Sequence, residues 1–294
     1  MKSGFGSIVG RPNVGKSTLL NSIMNKKIAI TSDKSGTTRN MIKGIYTKDD
    51  CQIIFVDTPG IHKAQNKLGR VLNKEAYFSL DDVDVILFVI DITKPLGTGD
   101  KYIIDSLKNN PAPVLLIINK IDKVSYENIL KTITEYKDLY DFKEIIPVSS
   151  LKSKNVDDVI KTIKKYLTQD IMYYPENMTD ENTPEFHISE LIREKILYLT
   201  KQEVPHSVMC KVDNIEESPT VVSIQASIIV DRESIKRIIV GHNGNMIKKI
   251  GSEARHDIEE YLNKKVYLEL FVKVVEKWRD KDNFLNEIGF KDFN

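Results

Sequence analysis

Apolar residues come in short runs along the first half of the chain, separated by amphipathic or polar stretches. Residues 5–9 (FGSIV), 85–90 (VILFVI) and 114–118 (VLLII) carry almost no polar interruption, the pattern of strands buried on both faces of a parallel sheet. Residues 42–47 and 52–56 are also strand-like. They are split only by Lys48-Asp49-Asp50, a spacing that suits a hairpin and hence one antiparallel pair at the sheet edge. A last strand is predicted over 144–148, and helical patterns over 18–24 and 155–167. Strands alternating with helices in this way predict an α/β domain with a mixed, mostly parallel sheet.

The character changes after residue 169. The stretch 173–184 (YYPENMTDENTP) holds two prolines and many polar residues and reads as a linker. This sets expected boundaries at 1–170, 171–184 and 185–294. Beyond it the pattern predicts a helix over 187–200 and strands over 207–215 and 220–230, parted by the turn Glu216-Glu217-Ser218-Pro219. A helix over 233–240 follows and breaks at Gly241-His242-Asn243-Gly244. A longer helix then spans 246–262, a strand 266–274, and a terminal helix starts at Trp278-Arg279 and runs towards Phe293. The second half is therefore α+β.

At 294 residues with a net charge of +1, the chain has room for two cores and no overall commitment to a polyanion. Its two cysteines, Cys51 and Cys210, argue against a disulfide scaffold and a structural zinc site, and fit a reducing cytosol. The first residues enter a strand at once, which leaves no room for a signal peptide. No apolar run approaches the ~20 residues of a membrane-spanning helix, so a cytoplasmic location is expected.

The first strand leads into Gly10-Arg11-Pro12-Asn13-Val14-Gly15-Lys16-Ser17, a complete G-x-x-x-x-G-K-[ST] between strand and helix. Gly10 and Gly15 let the N–H groups of Asn13, Val14, Gly15, Lys16, Ser17 and Thr18 close around phosphate oxygens at a helix N-terminus. Lys16 is placed for the β- and γ-phosphates and Ser17 for Mg²⁺. The strand 52–56 ends in Asp57-Thr58-Pro59-Gly60. Asp57 stands where a second Mg²⁺-linked carboxylate belongs, and Gly60 can offer its N–H to a γ-phosphate. The strand 114–118 ends in Asn119-Lys120-Ile121-Asp122. A carboxylate at Asp122 accepts from N1–H and the exocyclic amine of guanine, a donor pair adenine lacks. Asn119 and Lys120 would brace that loop, and Ser149, Ser150 and Leu151 would close over the base with backbone N–H groups.

In the second half, IVGHNGNMIKKIG sets a G-x-x-G loop between two helices, with apolar positions on both sides and basic residues after it. This is the nucleotide clamp of a KH domain, in which glycines let a nucleic-acid backbone approach. The candidate RNA contacts are Arg232, Lys236, Gly241, His242, Asn243, Gly244, Lys248 and Lys249. Residues 184–294 hold 17 basic and 19 acidic residues, so RNA binding is confined to one face and a modest salt slope is expected. Helix, two strands, two helices, strand is the type II KH order. Trp278 has two readings, a base stack or packing against the KH core, and packing is the commoner role.

The three nucleotide motifs, in this order, resemble translation-factor-class GTPases. Asn13 and the loop Gly36-Thr37-Thr38-Arg39 are closer to the Era and TrmE branch. With the KH pattern, the segment Glu203-Val204-Pro205-His206-Ser207 and Trp278-Arg279, nearly the whole chain resembles the Era family. The resemblance implies that the loop around Thr38 is switch I and that Thr38, ahead of Thr37, senses Mg²⁺ and the γ-phosphate. Lys16, Thr38 and Gly60 are then the groups at the reacting phosphate. Ile61 stands where Ras-like enzymes place a water-orienting glutamine, so slow intrinsic turnover is expected. His62 follows it, and an exposed switch histidine with no catalytic role is the commoner reading. In related enzymes the asparagine at the position of Asn13 ligates potassium. The resemblance further implies a GTP-switched factor for small-subunit assembly and rRNA processing that binds the 3′ end of 16S rRNA, with peripheral association with the inner membrane. A scaffold with vestigial hydrolysis and a GTPase acting on tRNA are the alternatives.

Overall fold

Every residue of β3 (Cys51–Asp57), β4 (Val85–Asp91) and β5 (Val114–Asn119) is buried. Uninterrupted apolar runs of this kind satisfy their backbone only as inner strands of a sheet covered on both faces. The computed structural model describes residues 1–34, 36–48, 50–201 and 204–290. Two compact units divide the chain: Met1–Thr31, Thr38–Ala64 and Leu72–Glu181 form one, and Ser32–Thr37, Gln65–Val71 and Asn182–Asn294 the other.

In the first unit β1 (Lys2–Val9), β2 (Ile42–Lys48), β3, β4, β5 and β6 (Glu144–Pro147) form a six-stranded sheet in the order β2-β3-β1-β4-β5-β6. All pairs are parallel except β2 with β3, the expected edge hairpin, whose turn residue Asp49 lies outside the described residues. Strand order reverses around β1, so the loops after β1 and β3 open side by side at the carboxyl ends of the strands, where such sheets bind ligands. The helices of this half are α1 (Lys16–Met24), α2 (Lys67–Phe78) from Leu72 onwards, α3 (Thr98–Leu107), α4 (Tyr126–Lys137) and α5 (Val156–Ile163).

The stretch 171–184 is not a free linker. Up to Glu181 it belongs to the first unit. Gln52, buried on β3, accepts from Tyr173 N at 2.8 Å and Tyr174 N at 3.0 Å and donates to Tyr174 O at 2.9 Å. Ile45 N donates to Thr179 O at 2.8 Å, and Lys43 pairs with Glu181 at 2.8 Å. Polar composition reads as linker because the bonds that hold this segment engage its backbone, which composition does not report.

In the second unit α6 (Pro184–Leu199) starts three residues ahead of its expected position. Thr183 caps it by accepting from Phe186 N, and proline at the first turn needs no donor there. A short α7 (Val204–Ser207) precedes β7 (Val208–Glu217), β8 (Val221–Val230), α8 (Glu233–Val240), α9 (Asn245–Leu262) and β9 (Lys265–Val274). Glu203 lies outside the described residues. β7 and β8 are antiparallel and β8 and β9 parallel, which is the type II KH order. Ile188, Ile192 and Ile196 of α6 share a core with Ile224, Ile228, Ile239 and Ile258, and truncating any of these to alanine costs about 2–5 kcal/mol. Trp278 is fully buried, and its Nε1–H donates to Ser207 O at 3.1 Å, so it packs in the core and is not a base platform. The expected terminal helix is two short pieces, the turn Trp278–Asp280 and α10 (Asp282–Glu287). Residues 291–294, with Phe293, lie outside the described residues.

One group in the first unit is buried at a cost. Glu75 on α2 is buried, its Oε2 has no hydrogen-bond partner among the described residues, and burial pushes its carboxyl up to about 7. An unfolded glutamate ionises near 4.5, so between those values the unfolded chain loses its proton first and stability falls as pH rises. Above about 7 the penalty is complete. Glu75→Gln is therefore expected to raise the melting temperature more at pH 8 than at pH 5. Equal gains at both values would contradict this account.

Candidate functional site

The loop after β1 wraps its backbone around an open centre because two residues take left-handed conformations, Asn13 at φ 64° and Gly15 at φ 98°. A side chain at Gly15 would also place Cβ 2.3 Å from Asn119 Nδ2, so only glycine fits. α1 begins at Lys16 directly behind the loop and points its free N–H groups into it. Val14 is buried, Thr18 half-buried and Asn13 exposed.

Lys16 is buried, with Nζ 3.2 Å from both Gly10 O and Arg11 O. Burial lowers its pKa to about 8 against the opposing charge of Asp57. Burial likewise raises Asp57 to about 6, opposed by Lys16, by Ser17 and by the Thr58 N–H. Two desolvated opposite charges thus face a site that a phosphate and a cation would complete.

Three oxygens converge beside Lys16. Ser17 Oγ donates to Asp57 Oδ2 at 2.6 Å and lies 2.8 Å from Thr38 Oγ1. Asp57 Oδ1 is buried and has no hydrogen-bond partner among the described residues. Two hydroxyls and one carboxylate are hard oxygen donors, and an ion held by one carboxylate and completed by phosphate and water fits Mg²⁺. Among the described residues no group of three or more His, Cys, Asp or Glu gathers to hold a metal by itself. The hydroxyl of Thr37 is engaged elsewhere: it lies 2.6 Å from Ser32 Oγ and donates to Lys34 O at 2.6 Å. Of the two candidate threonines, Thr38 is the one beside Ser17. Ser35, in the same loop, lies outside the described residues.

Gly60 is buried, and Ile61 N donates to Gly10 O at 3.3 Å. Ile61 is itself buried in the apolar cluster with Val9, Ala76 and Phe88. The side chain at the glutamine position is therefore an apolar core residue with no group to orient water. The exposed His62 turns its Nδ1 to Gly60 O at 2.8 Å.

Asn119 ties the base-binding loops together. Its Nδ2 donates to Val14 O at 2.9 Å, and its Oδ1 accepts from Lys120 N at 2.8 Å, Ser150 N at 3.0 Å and Ser150 Oγ at 2.9 Å. Asp122 is exposed and is oriented by Ser149 Oγ on Oδ1. Leu151 is exposed at the same loop. Lys120 Nζ donates to Asn13 O and to Asp91 Oδ2, each at 2.6 Å. Asp91 is absent from the sequence-predicted set. Burial alone would raise its carboxyl, but bonds from Lys120 and Thr93 outweigh this and hold it below the ordinary range. Its signal was present, since β4 also ends in an aspartate after an apolar run.

In the second unit the G-x-x-G loop is a single tight turn, His242–Gly244. Gly241 has φ 72°, and a Cβ there would meet Met246 Cβ at 2.6 Å. Gly244 has open space around it, and His242 and Asn243 are exposed. Arg232, Lys248 and Lys249 are exposed and Lys236 is half-buried. Two of these cations have loose acidic partners: Arg232 Nε lies 3.8 Å from Asp231 and Lys249 Nζ 4.0 Å from Glu253, long surface ion pairs that leave the charges open to a phosphate backbone.

Comparison with known proteins agrees with both halves. Residues 6–120 match the family model described as 50S ribosome-binding GTPase, and residues 203–279 match the KH domain model. A crystal structure of a variant of Aquifex aeolicus Era bound to GDP.AlF4⁻ is similar at 41% identity, with a TM-score of 0.96, covering 99% of this chain and 100% of that one. A crystal structure of Era with MgGDPNP and nucleotides 1506–1542 of 16S ribosomal RNA is similar with the same identity, coverage and TM-score. With its phosphate loop, its guanine-type carboxylate and its KH clamp on one chain, and with this similarity along its whole length, the chain belongs to the Era family of GTPases.

Proposed function

We propose that this chain is a GTP-hydrolysing switch that binds the 3′ end of small-subunit (16S) rRNA through its KH domain and acts in rRNA processing and assembly of the 30S subunit. The observation that carries the nucleotide half is the meeting of the Ser17 and Thr38 hydroxyls with the Asp57 carboxylate, whose Oδ1 has no hydrogen-bond partner among the described residues, beside the buried Lys16. The related Era bound to both a nucleotide and a 16S fragment supports the RNA half.

Bound Mg²⁺ would neutralise charge on the β- and γ-phosphates. The chain's own groups do the rest. Lys16 and the N–H groups at the start of α1 bind the phosphates, and Gly60 N–H reaches the γ-phosphate as negative charge moves during in-line attack by water. At the glutamine position no side chain can act as a base, because Ile61 is apolar and buried in the core. Turnover is accordingly slow, and Thr38 and Gly60 release their loops when the γ-phosphate leaves. Asn13, exposed at the loop, is our candidate potassium ligand. The protein acts in the cytoplasm. The support for peripheral contact with the inner membrane is family resemblance, and no helix among the described residues is long and apolar enough to cross a membrane.

Base selection gives the sharpest test of the nucleotide. Asn at position 122 would offer one donor and one acceptor in place of two acceptor oxygens. Guanine then loses a partner for one of its two donors, while xanthine, which carries a carbonyl in place of the amine, gains one. Asp122→Asn is expected to weaken GTP binding by about 10²-fold or more and to bind xanthosine triphosphate more tightly than GTP. Unchanged preference for GTP in a competition assay would remove Asp122 from the base site.

A further inference from the structure

We infer that Asp100 on α3 is a positioning residue for the γ-phosphate site, acting through its ion pair with Arg11 of the phosphate loop. The inference rests on the nucleotide reading above and adds a group outside every motif. Arg11 occupies a variable position of the G-x-x-x-x-G-K-[ST] pattern, so the loop itself does not demand arginine there.

The arginine side chain leaves the loop and lies along the start of α3. Its Nε is 2.8 Å from Asp100 Oδ1, and the Asp100 side chain is fully buried. The contact is an electrostatic one, since neither atom has a hydrogen-bond partner of good geometry among the described residues. Asp100 is itself fixed: its Oδ2 accepts from Gly97 N at 3.0 Å, across the first turn of the helix. Gly97 and Gly99 make room for the arginine. A Cβ at Gly97 would stand 2.9 Å from an Arg11 terminal nitrogen, and one at Gly99 would stand 2.8 Å from Arg11 Cδ. A buried carboxylate with an arginine laid against it over two glycines is a socket.

The backbone of residues 10–12 is where the socket matters. Gly10 O and Arg11 O hold Lys16 Nζ, and Gly10 O also accepts from Ile61 N. Gly60 lies directly on Pro12, where an added Cβ would be 2.6 Å from Pro12 N. Lys16 and Gly60, two of the three groups assigned to the γ-phosphate, are therefore both seated on the residues that Arg11 anchors. The N–H groups that serve the inner phosphates lie further along, at the start of α1. Slackening the anchor should then affect GTP recognition and turnover more than GDP binding.

The test uses the full chain and four proteins: wild type, Arg11→Lys, Arg11→Gln, and the double variant Arg11→Gln/Asp100→Asn, which leaves no unpaired buried charge. Each is measured for kcat, for affinity towards GDP and GDPNP, and for melting temperature. Arg11→Gln is expected to lower kcat about tenfold and to weaken GDPNP, with GDP affinity held within about twofold, since small misplacements near a reacting group cost rate steeply. Arg11→Lys should recover part of the rate. The double variant should recover melting temperature and not kcat. Unchanged kcat in Arg11→Gln, GDP and GDPNP weakening together in step with melting temperature, or full recovery of kcat in the double variant would each overturn the inference. A wild-type protein that binds neither nucleotide would instead refute the nucleotide reading on which it stands.

Discussion

Replacing Lys16 by alanine is expected to lower GTP turnover by about 10³-fold, the loss typical when a preorganised charge at a phosphoryl centre is removed. The ammonium group is buried, and burial has already lowered its pKa to about 8. That desolvation cost is carried in advance, so the group meets developing negative charge without shedding water. Its anchors, Gly10 O and Arg11 O, are loop carbonyls, which fix the amine and leave its remaining proton for phosphate. Alanine removes the charge and leaves α1 intact, because the helix buries Leu19, Leu20 and Ile23 independently of it. The measurement is phosphate release in a single turnover with saturating GTP. A rate within about tenfold of wild type would mean that the electrostatic contribution lies elsewhere.

Placing aspartates at both variable positions of the clamp, His242→Asp with Asn243→Asp, is expected to weaken RNA binding by about 10²-fold or more. Both side chains are exposed, and Asn243 sits at φ 50°, a left-handed conformation that aspartate tolerates nearly as well as asparagine. The fold should therefore persist, with an unchanged melting temperature. Two carboxylates at a turn that receives phosphates oppose them directly, in a segment where Arg232, Lys248 and Lys249 supply the attraction. Lys248→Ala provides the contrast: it should weaken RNA binding more mildly and reduce the salt slope by about one. Affinity within threefold of wild type for the double aspartate variant would mean that RNA enters by another surface.

The parts of the site legible in the sequence are those with chemistry at the end of an apolar strand. Lys16 and Ser17 after β1, Asp57 at the end of β3, and Asn119 and Asp122 at and after the end of β5 could be placed because a strand running into a polar group marks the carboxyl edge of a parallel sheet. The KH clamp was legible for a related reason, since two glycines interrupt a helical apolar period that resumes at once. Thr37 and Thr38 could not be separated by pattern, because adjacent hydroxyls are chemically equal. The difference between them is where the backbone aims each one: Thr38 towards Ser17, Thr37 towards Ser32 and Lys34.

What stayed hidden depends on partners remote in sequence. Gln52 looks like an ordinary polar residue in a strand, yet it is buried and holds the backbone of Tyr173 and Tyr174, which turned an apparent linker into part of the first unit. Asp100 and Glu75 are helix carboxylates with nothing in their local sequence to mark them as buried. One is paired with an arginine from the phosphate loop, and the other has no hydrogen-bond partner for Oε2 among the described residues. Trp278 was open to two readings until the core closed around it. In each case local pattern reports the element, and tertiary contact decides the role.

The most direct test of the account is GTP turnover by the full chain with and without an RNA oligomer matching the 3′ end of 16S rRNA, in potassium and in sodium, with a scrambled oligomer as control. The account predicts slow turnover alone, a rise with the matching RNA only, and a larger rise in potassium than in sodium if Asn13 holds the ion. RNA that binds while turnover stays the same under every condition would contradict it, leaving the KH domain as an anchor uncoupled from the nucleotide switch.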